Sequence, residues 1–274
     1  MREGKRNLIQ GLAALISNGY LAGFVSGKLW KGASKQVCVP GLNCYSCPGA
    51  LGACPIGSLQ SALAGSVRSF PYYVVGTLLL FGVTLGRLVC GFLCPFGFVQ
   101  DLLYKVRVKK GFIPKTIDRI LRYLKYIVLA VFVILLPFVV RNEYGLGDPW
   151  FCKYICPAGT LEGGIPLVLL DDALRGAVGF LFSWKMLILV GVLTASLFLY
   201  RPFCKYLCPL GAFYGLFNKI GFYRLHVDHA SCIQCGACDK ACKMDVDVRR
   251  DINSPECIRC GACREACPRQ CIHR

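Results

Sequence analysis

The stretch CIQCGACDKACKMDVDVRRDINSPECIRCGACREACP, residues 232–268, decides the fold of the C-terminal part of this chain. It holds two runs of C-x2-C-x2-C-x3-C: Cys232, Cys235, Cys238 and Cys242, then Cys257, Cys260, Cys263 and Cys267. In such a run three closely spaced thiolates grip three corners of a cubane iron–sulfur cluster, and the fourth cysteine reaches across to the other cluster. One [4Fe-4S] cluster is therefore expected on Cys232, Cys235, Cys238 and Cys267, and a second on Cys257, Cys260, Cys263 and Cys242. Gly236 and Gly261 suit a backbone that comes close to a cluster. Structural zinc would instead leave two C-x2-C pairs about 15 to 20 residues apart. Lys243 follows Cys242 where Pro is usual, whereas Pro268 follows Cys267; the missing Pro removes a rigid turn and not a ligand. Cys271 lies outside the eight ligands and is expected to be a free thiol near the surface.

Upstream, a second repeat reads GACPIGSLQ, CGFLCPFGFVQ, CKYICPAGTLE and CKYLCPLGAFY, each with Cys-Pro-x-Gly followed by an apolar stretch. Three copies carry cysteines at i and i+4: Cys90 with Cys94, Cys152 with Cys156, and Cys204 with Cys208. That spacing puts both thiols on one helical face. Pro after the second cysteine suits the first position of a new helix, whose N-terminal amides then face anionic sulfur. The apolar stretches are too short to span a bilayer and are expected as half-helices covered by other protein.

The chain has 274 residues, a formal charge of +17 and 19 cysteines, and its mean hydropathy is +0.52. Such hydropathy points to a membrane protein. Four spans are expected, at about residues 8–27, 70–92, 123–140 and 183–200, each near the ~20 residues a bilayer requires. The first, with Gln10, Ser17 and Asn18, is the most polar; a signal peptide is its alternative, although no small-residue cleavage site follows. Lys and Arg give the orientation. They mark the N-terminus (Arg2, Lys5, Arg6) and the loop between spans two and three (Lys105, Arg107, Lys109, Lys110, Lys115, Arg119, Arg122) as cytoplasmic. The loop between spans three and four has Arg141, Lys153 and Arg175 against Glu143, Asp148, Glu162, Asp171 and Asp172, and reads as external. The first loop, with Lys28, Lys31, Lys35 and Arg68, decides less. Basicity of this kind is loop charge and implies no nucleic-acid partner; each four-thiolate cluster would also subtract roughly two units from it.

The expected fold is thus an α-helical multi-pass membrane bundle over residues 1–222, followed by an α+β two-[4Fe-4S] ferredoxin-like domain over 223–274. Both termini and that domain face the cytoplasm, at the inner membrane of a prokaryote. Topology then sorts the remaining cysteines. Cys90, Cys94, Cys204 and Cys208 meet on the inner side and complete one cluster. On the outer side Cys47 and Cys54 join Cys152 and Cys156 in another, with Cys44 the alternative to Cys47. Cys38 and Cys44 are left as a disulfide, a redox thiol pair or ligands to something else. Disulfide bonding remains the rival for the outer thiols, and inert burial for the inner ones.

The segments GRLVCGFLCPFGFVQD, YRPFCKYLCPLGAF and CDKACKMDVDV, within residues 70–274, resemble the membrane polyferredoxins that accompany periplasmic nitrate reductase and nitrous-oxide reductase, and related cytochrome-oxidase assembly proteins. The resemblance implies electron transfer between a cytoplasmic donor or the quinone pool and a partner at the outer face, within a multi-subunit complex. The third pair, Cys152 with Cys156, and the cysteine-rich first loop depart from that pattern, and no flavin-binding domain accompanies them. An assembly factor that reduces a metal or disulfide in a client, or a redox sensor, would use the same clusters. No Ser-His-Asp arrangement, P-loop or GxGxxG context supports side-chain catalysis. Arg87 and Arg201 are read as anchors at the interface, with hydrogen bonding to cluster sulfur as the alternative. His226 and His229 are read as exposed linker residues, against a quinone or metal contact, and Trp150, with Asp148, as an interfacial aromatic, against a docking site.

Overall fold

The computed structural model describes residues 3–65, 70–111, 113–176 and 178–274. Arg2 and Arg68, two of the basic residues weighed above, lie outside them.

Among the described residues two helices have the length and composition to cross a bilayer: Lys115–Val139, of 25 residues, and Phe180–Phe198, of 19. Only 22% and 17% of their most apolar windows are buried within the protein. Their aliphatic and aromatic side chains therefore face outward, the reverse of a soluble core helix and the arrangement lipid requires. The longer helix is wound as a π-helix over Val128–Leu135, and Pro137 falls in its last turn.

The other two expected spans are interrupted. Residues 8–27 form a helix, Glu3–Ser17, a turn through Gly19, and a short helix, Ala22–Ser26. At Gly23 a Cβ would lie 2.4 Å from the Pro48 carbonyl oxygen, so the cysteine-rich loop packs directly onto this backbone. Residues 70–92 form Tyr72–Thr84, a turn at Gly86 (φ +53°) and Leu88–Phe92. Thirteen residues at ~1.5 Å each reach about 20 Å, short of ~30 Å of hydrocarbon.

Both short helices nevertheless run between the same two ends of the molecule. Glu3 pairs with Lys243 at 2.9 Å at one end, and the Ser17 carbonyl accepts from Leu51 N at 2.9 Å at the other. Tyr73 accepts from Cys38 N (3.2 Å) at the second end, and Val83 accepts from Phe222 N (2.9 Å) at the first. Gln10, polar within an apolar stretch, is wholly buried against protein.

After each Cys-Pro the chain forms the expected half-helix: Pro55–Ala64, Pro95–Tyr104, Pro157–Leu170 and Pro209–Leu216. Each starts with Pro in its first turn and has the extended cysteine as N-cap. In the C-terminal part, β structure is confined to one antiparallel ladder, His226–Val227 with Ile272–His273, beside three short helices. Its internal duplication is legible in the backbone. Left-handed φ angles recur in pairs: Gln234 with Arg259, Gly236 with Gly261, and Asp245 with Gln270. At Gly236 and Gly261 it is this φ, +71° and +81°, that favours glycine.

Buried charges join the C-terminal part to the helices. Arg87 donates to Glu256 (2.9 Å) and to the Pro255 carbonyl (2.7 Å), and Lys125, fully buried in the long helix, pairs with the same Glu256. Burial would raise the Glu256 carboxyl, but Arg87 and Lys125 together hold it below the usual carboxylate range. A buried carboxylate costs several kcal/mol when unpaired, so this contact also fixes orientation. At Gly91 a Cβ would stand 2.4 Å from the Ile258 carbonyl oxygen, so the two backbones touch.

Candidate metal centres

Cys90, Cys94, Cys204 and Cys208 come from the breaks before two half-helices and are 4–5% exposed. Cys208 lies close enough to the other three to feel their charge. Arg87 and Arg201 brace them reciprocally. Each lies three residues before one cysteine pair and donates to the carbonyl of the other: Arg87 to Cys204 at 2.9 Å, Arg201 to Cys90 at 2.5 Å. Arg201 is held in turn by Asp101 at 2.6 and 2.7 Å. Both guanidinium groups are fully buried, which corrects their reading as interfacial anchors.

At the other end, Cys44, Cys54, Cys152 and Cys156 line a cavity of about 710 Å³, with Lys35, Ser58 and Lys185 among its walls. Here the structure brings in Cys44 and leaves Cys47 out. The turn closed by Cys47 N on the Cys44 carbonyl (3.1 Å) sends the two side chains apart. Cys47, 1% exposed, donates to Asn18 Oδ1 at 3.4 Å, while the Cys44 amide donates to Glu162 at 2.7 Å and is turned toward the cavity. Cys38 and Cys44 are free thiols with different neighbours; the Cys38 amide donates to Tyr73, and its thiol faces Ser58.

The repeat extends further than the cysteines. In all four copies the Cys-Pro-x-Gly glycine amide turns to the sulfur of the motif cysteine, at 3.4 Å for Gly159 and Gly211. Helix N-termini thus present amides to sulfur, as the spacing predicts. Six residues after each motif cysteine a side chain crosses to another segment. Gln60 donates to Cys152 Sγ (3.2 Å) and accepts from Phe151 N (2.9 Å); Gln100 does the same for Cys204 Sγ (3.1 Å) and Phe203 N (3.2 Å). Glu162 and Tyr214 occupy that place in the other copies and accept from Cys44 N and donate to the Pro40 carbonyl (3.0 Å), respectively. These four positions escaped sequence reasoning. Their signal was a hydrogen-bonding side chain at one fixed offset in apolar segments.

Residues Pro40–Cys44 strap the two thiol groups together. Gly41 lies against Cys94, where a Cβ would meet the Cys94 Cα at 3.0 Å. The next two amides diverge: Leu42 N–H faces the Cys94 thiol, and Asn43 N–H faces the Cys54 thiol. Tyr214, fully buried, lies among Cys90, Cys54, Cys94 and Cys38.

In the C-terminal part, Cys232, Cys235, Cys238 and Cys267 line one cavity of about 20 Å³, and Cys242, Cys257, Cys260 and Cys263 line another of about 20 Å³. The fourth cysteine of each run thus lines the cavity of the other run. Cys271 is not at the surface, as its position suggests, but 4% exposed beside Cys267. His226 and His229 are exposed. Among the described residues no three His, Cys, Asp or Glu side chains converge on a point where a single ion would bind. Motif thiols gathered in fours fit the corners of a cubane.

Outward-facing apolar helices joined to a twofold-repeated, thiol-lined C-terminal part define a membrane iron–sulfur protein. A family model described as a 4Fe-4S binding domain matches residues 69–113, 126–165 and 180–226, each match holding one Cys-x3-Cys-Pro copy, and a 4Fe-4S dicluster domain matches 224–268. MJ0750 of Methanocaldococcus jannaschii, an uncharacterized protein, is 31% identical over 197 residues, covering 70% of this chain and 72% of the relative. The methylamine utilization ferredoxin-type protein MauN of Paracoccus denitrificans is 30% identical over 190 residues, covering 67% and 58%. The regulatory protein NosR of Pseudomonas aeruginosa is 28% identical over 185 residues, covering 63% of this chain and 22% of the relative. The chain thus spans less than two thirds of the last two. No solved structure matches it. The chain belongs to the family of 4Fe-4S ferredoxin-type, or polyferredoxin, electron-transfer proteins.

Proposed function

We propose that this chain is a one-electron relay through the membrane, from a cytoplasmic donor to an acceptor at the outer face. The C-terminal part, over 223–274, holds two [4Fe-4S] clusters on the thiol sets above. A third cluster sits on Cys90, Cys94, Cys204 and Cys208, and a fourth on Cys44, Cys54, Cys152 and Cys156. The observation that carries this reading is the pair of consecutive amides, Leu42 and Asn43, facing the two membrane thiol groups. One peptide unit separates an amide that faces one thiol group from an amide that faces the other, a step far shorter than the ~30 Å of hydrocarbon to be crossed. The bound clusters supply the reversible one-electron chemistry, and the protein holds them, excludes water and tunes them through hydrogen bonds to sulfur.

In this reading the chain crosses the inner membrane of a prokaryote four times, with both termini cytoplasmic. The alternating course of the two short helices supports it. Redox proteins dock on each side, the quinone pool is a second source of electrons, and the chain works within a larger complex. Anaerobic purification and iron counting provide the test: about sixteen irons per chain are expected, and about eight would leave only the C-terminal pair. Reporter fusions near Cys90 and Cys152 are expected on opposite sides, and a common side would sink the relay.

A further inference from the structure

Five thiols converge on the first C-terminal cavity, where a cubane takes four. Cys232, Cys235, Cys238 and Cys267 belong to the motifs; the fifth, Cys271, lines the same cavity. Its Sγ lies 3.3 Å from Cys267 Sγ, and it faces Cys232 as well. The approach is built by the backbone. Gln270 N donates to the Cys267 carbonyl at 3.2 Å, and Gln270 takes a left-handed φ of +51°, which turns the chain back on itself. The Cys271 carbonyl then accepts from Asp228 N at 2.8 Å, and Ile272 pairs with Val227 in the antiparallel ladder. Cys271 is thereby the better buried and more firmly anchored of the two thiols, while Cys267 is half-buried.

We infer that Cys271 is a reserve ligand for the cluster held by Cys232, Cys235 and Cys238, standing where it takes over from Cys267. This rests on the two-cluster reading of the C-terminal part. The exchange is neutral in electrons and protons: the iron–sulfur bond to Cys267 breaks, the Cys271 thiol passes its proton to the departing thiolate, and a bond from Cys271 to the same iron forms. Loss or oxidation of Cys267 would then leave a four-iron cluster with an altered spectrum, where an ordinary ligand loss would leave none.

The test uses the full chain, reconstituted anaerobically with ferrous iron and sulfide, with iron counting and low-temperature electron paramagnetic resonance. Cys271→Ala and Cys267→Ala are each expected to keep the full iron content, the second with a shifted four-iron signal. Cys267→Ala/Cys271→Ala is expected to lose about four irons or to show a three-iron signal. Cys235→Ala, which has no reserve thiol, should lose the same cluster alone. The cluster of Cys242, Cys257, Cys260 and Cys263 is the folding control, and its signal is expected throughout. Loss of the first cluster in Cys267→Ala alone, or its survival in the double variant, overturns the inference, as does loss of both signals in Cys267→Ala. Failure of the two-cluster reading would differ, because the unaltered chain would then lack both signals.

Discussion

The two membrane thiol sites share one repeat and are finished differently. At the site of Cys90, Cys94, Cys204 and Cys208, the inner one in the proposed relay, the motif glycines make room for arginine: a Cβ at Gly97 would meet Arg201 at 3.3 Å, and one at Gly211 would meet Arg87 at 3.2 Å. At the outer site the equivalent glycines face only thiols, Gly57 with Cys152 at 3.8 Å and Gly159 with Cys44 at 3.6 Å. Pro149 stands where the arginine would be, and Lys185 reaches the Cys152 carbonyl, at 3.2 Å. The inner group is consequently sealed, and the outer group opens into the large cavity. The same motif yields a closed thiol site when cations from the opposite half fill the glycine space, and an open one when they do not.

The sharpest way to break this comparison is to empty one site at a time. Cys94→Ala/Cys208→Ala is expected to lose about four irons and to reduce electron transfer across a liposome wall to background. Cys54→Ala/Cys152→Ala should lose as many irons but keep the inner cluster reducible from the cytoplasmic side. If the outer variant also silences the inner cluster, the two sites are a single unit. Next in size are the cations. Arg87→Met leaves Glu256 with Lys125 and takes the guanidinium donor from the Cys204 carbonyl, and should cost about 3–5 kcal/mol in thermal unfolding. Lys185→Met is expected to cost about 1 kcal/mol. Equal losses would mean that the outer site is braced as well as the inner one.

Two smaller effects sharpen the contrast. In the cluster-free protein a polar thiol reagent should label Cys44 and Cys152, both partly exposed, about tenfold faster than Cys90 and Cys204. Finally, the glutamines make the sites alike. An N–H donated to sulfur favours the more negative, reduced cluster, so Gln60→Leu and Gln100→Leu should each lower one potential by about 40 mV, the equivalent of ~1 kcal/mol. Protein-film voltammetry would read both, and a shift at only one site would mean that the repeat at this position is geometric and not electronic.

Much of this was legible in the residues, because cluster ligation is written in local spacing. The two C-terminal runs, the Cys-Pro-x-Gly repeat and its half-helices need only near neighbours along the chain. Arg87 and Arg201 were misjudged because a cation beside an apolar segment looks the same whether it meets lipid headgroups or a carbonyl more than a hundred residues away. Between Cys44 and Cys47 the local pattern is silent: which of them lines the cavity goes with contacts to Asn18 and Glu162, which lie on other elements. Hydropathy marked four apolar segments but missed where packing interrupts them, at Gly23 under Pro48 and at Gly86. Gln60 and Gln100 were visible only as polar residues among apolar ones, and comparison of the repeats beyond the glycine would have found them.

The contact at Gly91 has a mechanical meaning. One position from Cys90, its bare Cα rests on the carbonyl of Ile258, one position from Cys257. Main chain against main chain acts as a rigid spacer, a gauge block that side-chain repacking on either part does not adjust. A single methyl group there would push the C-terminal part and the helices apart without removing any thiol, so that the spacing between the thiol sets becomes a variable separate from their composition.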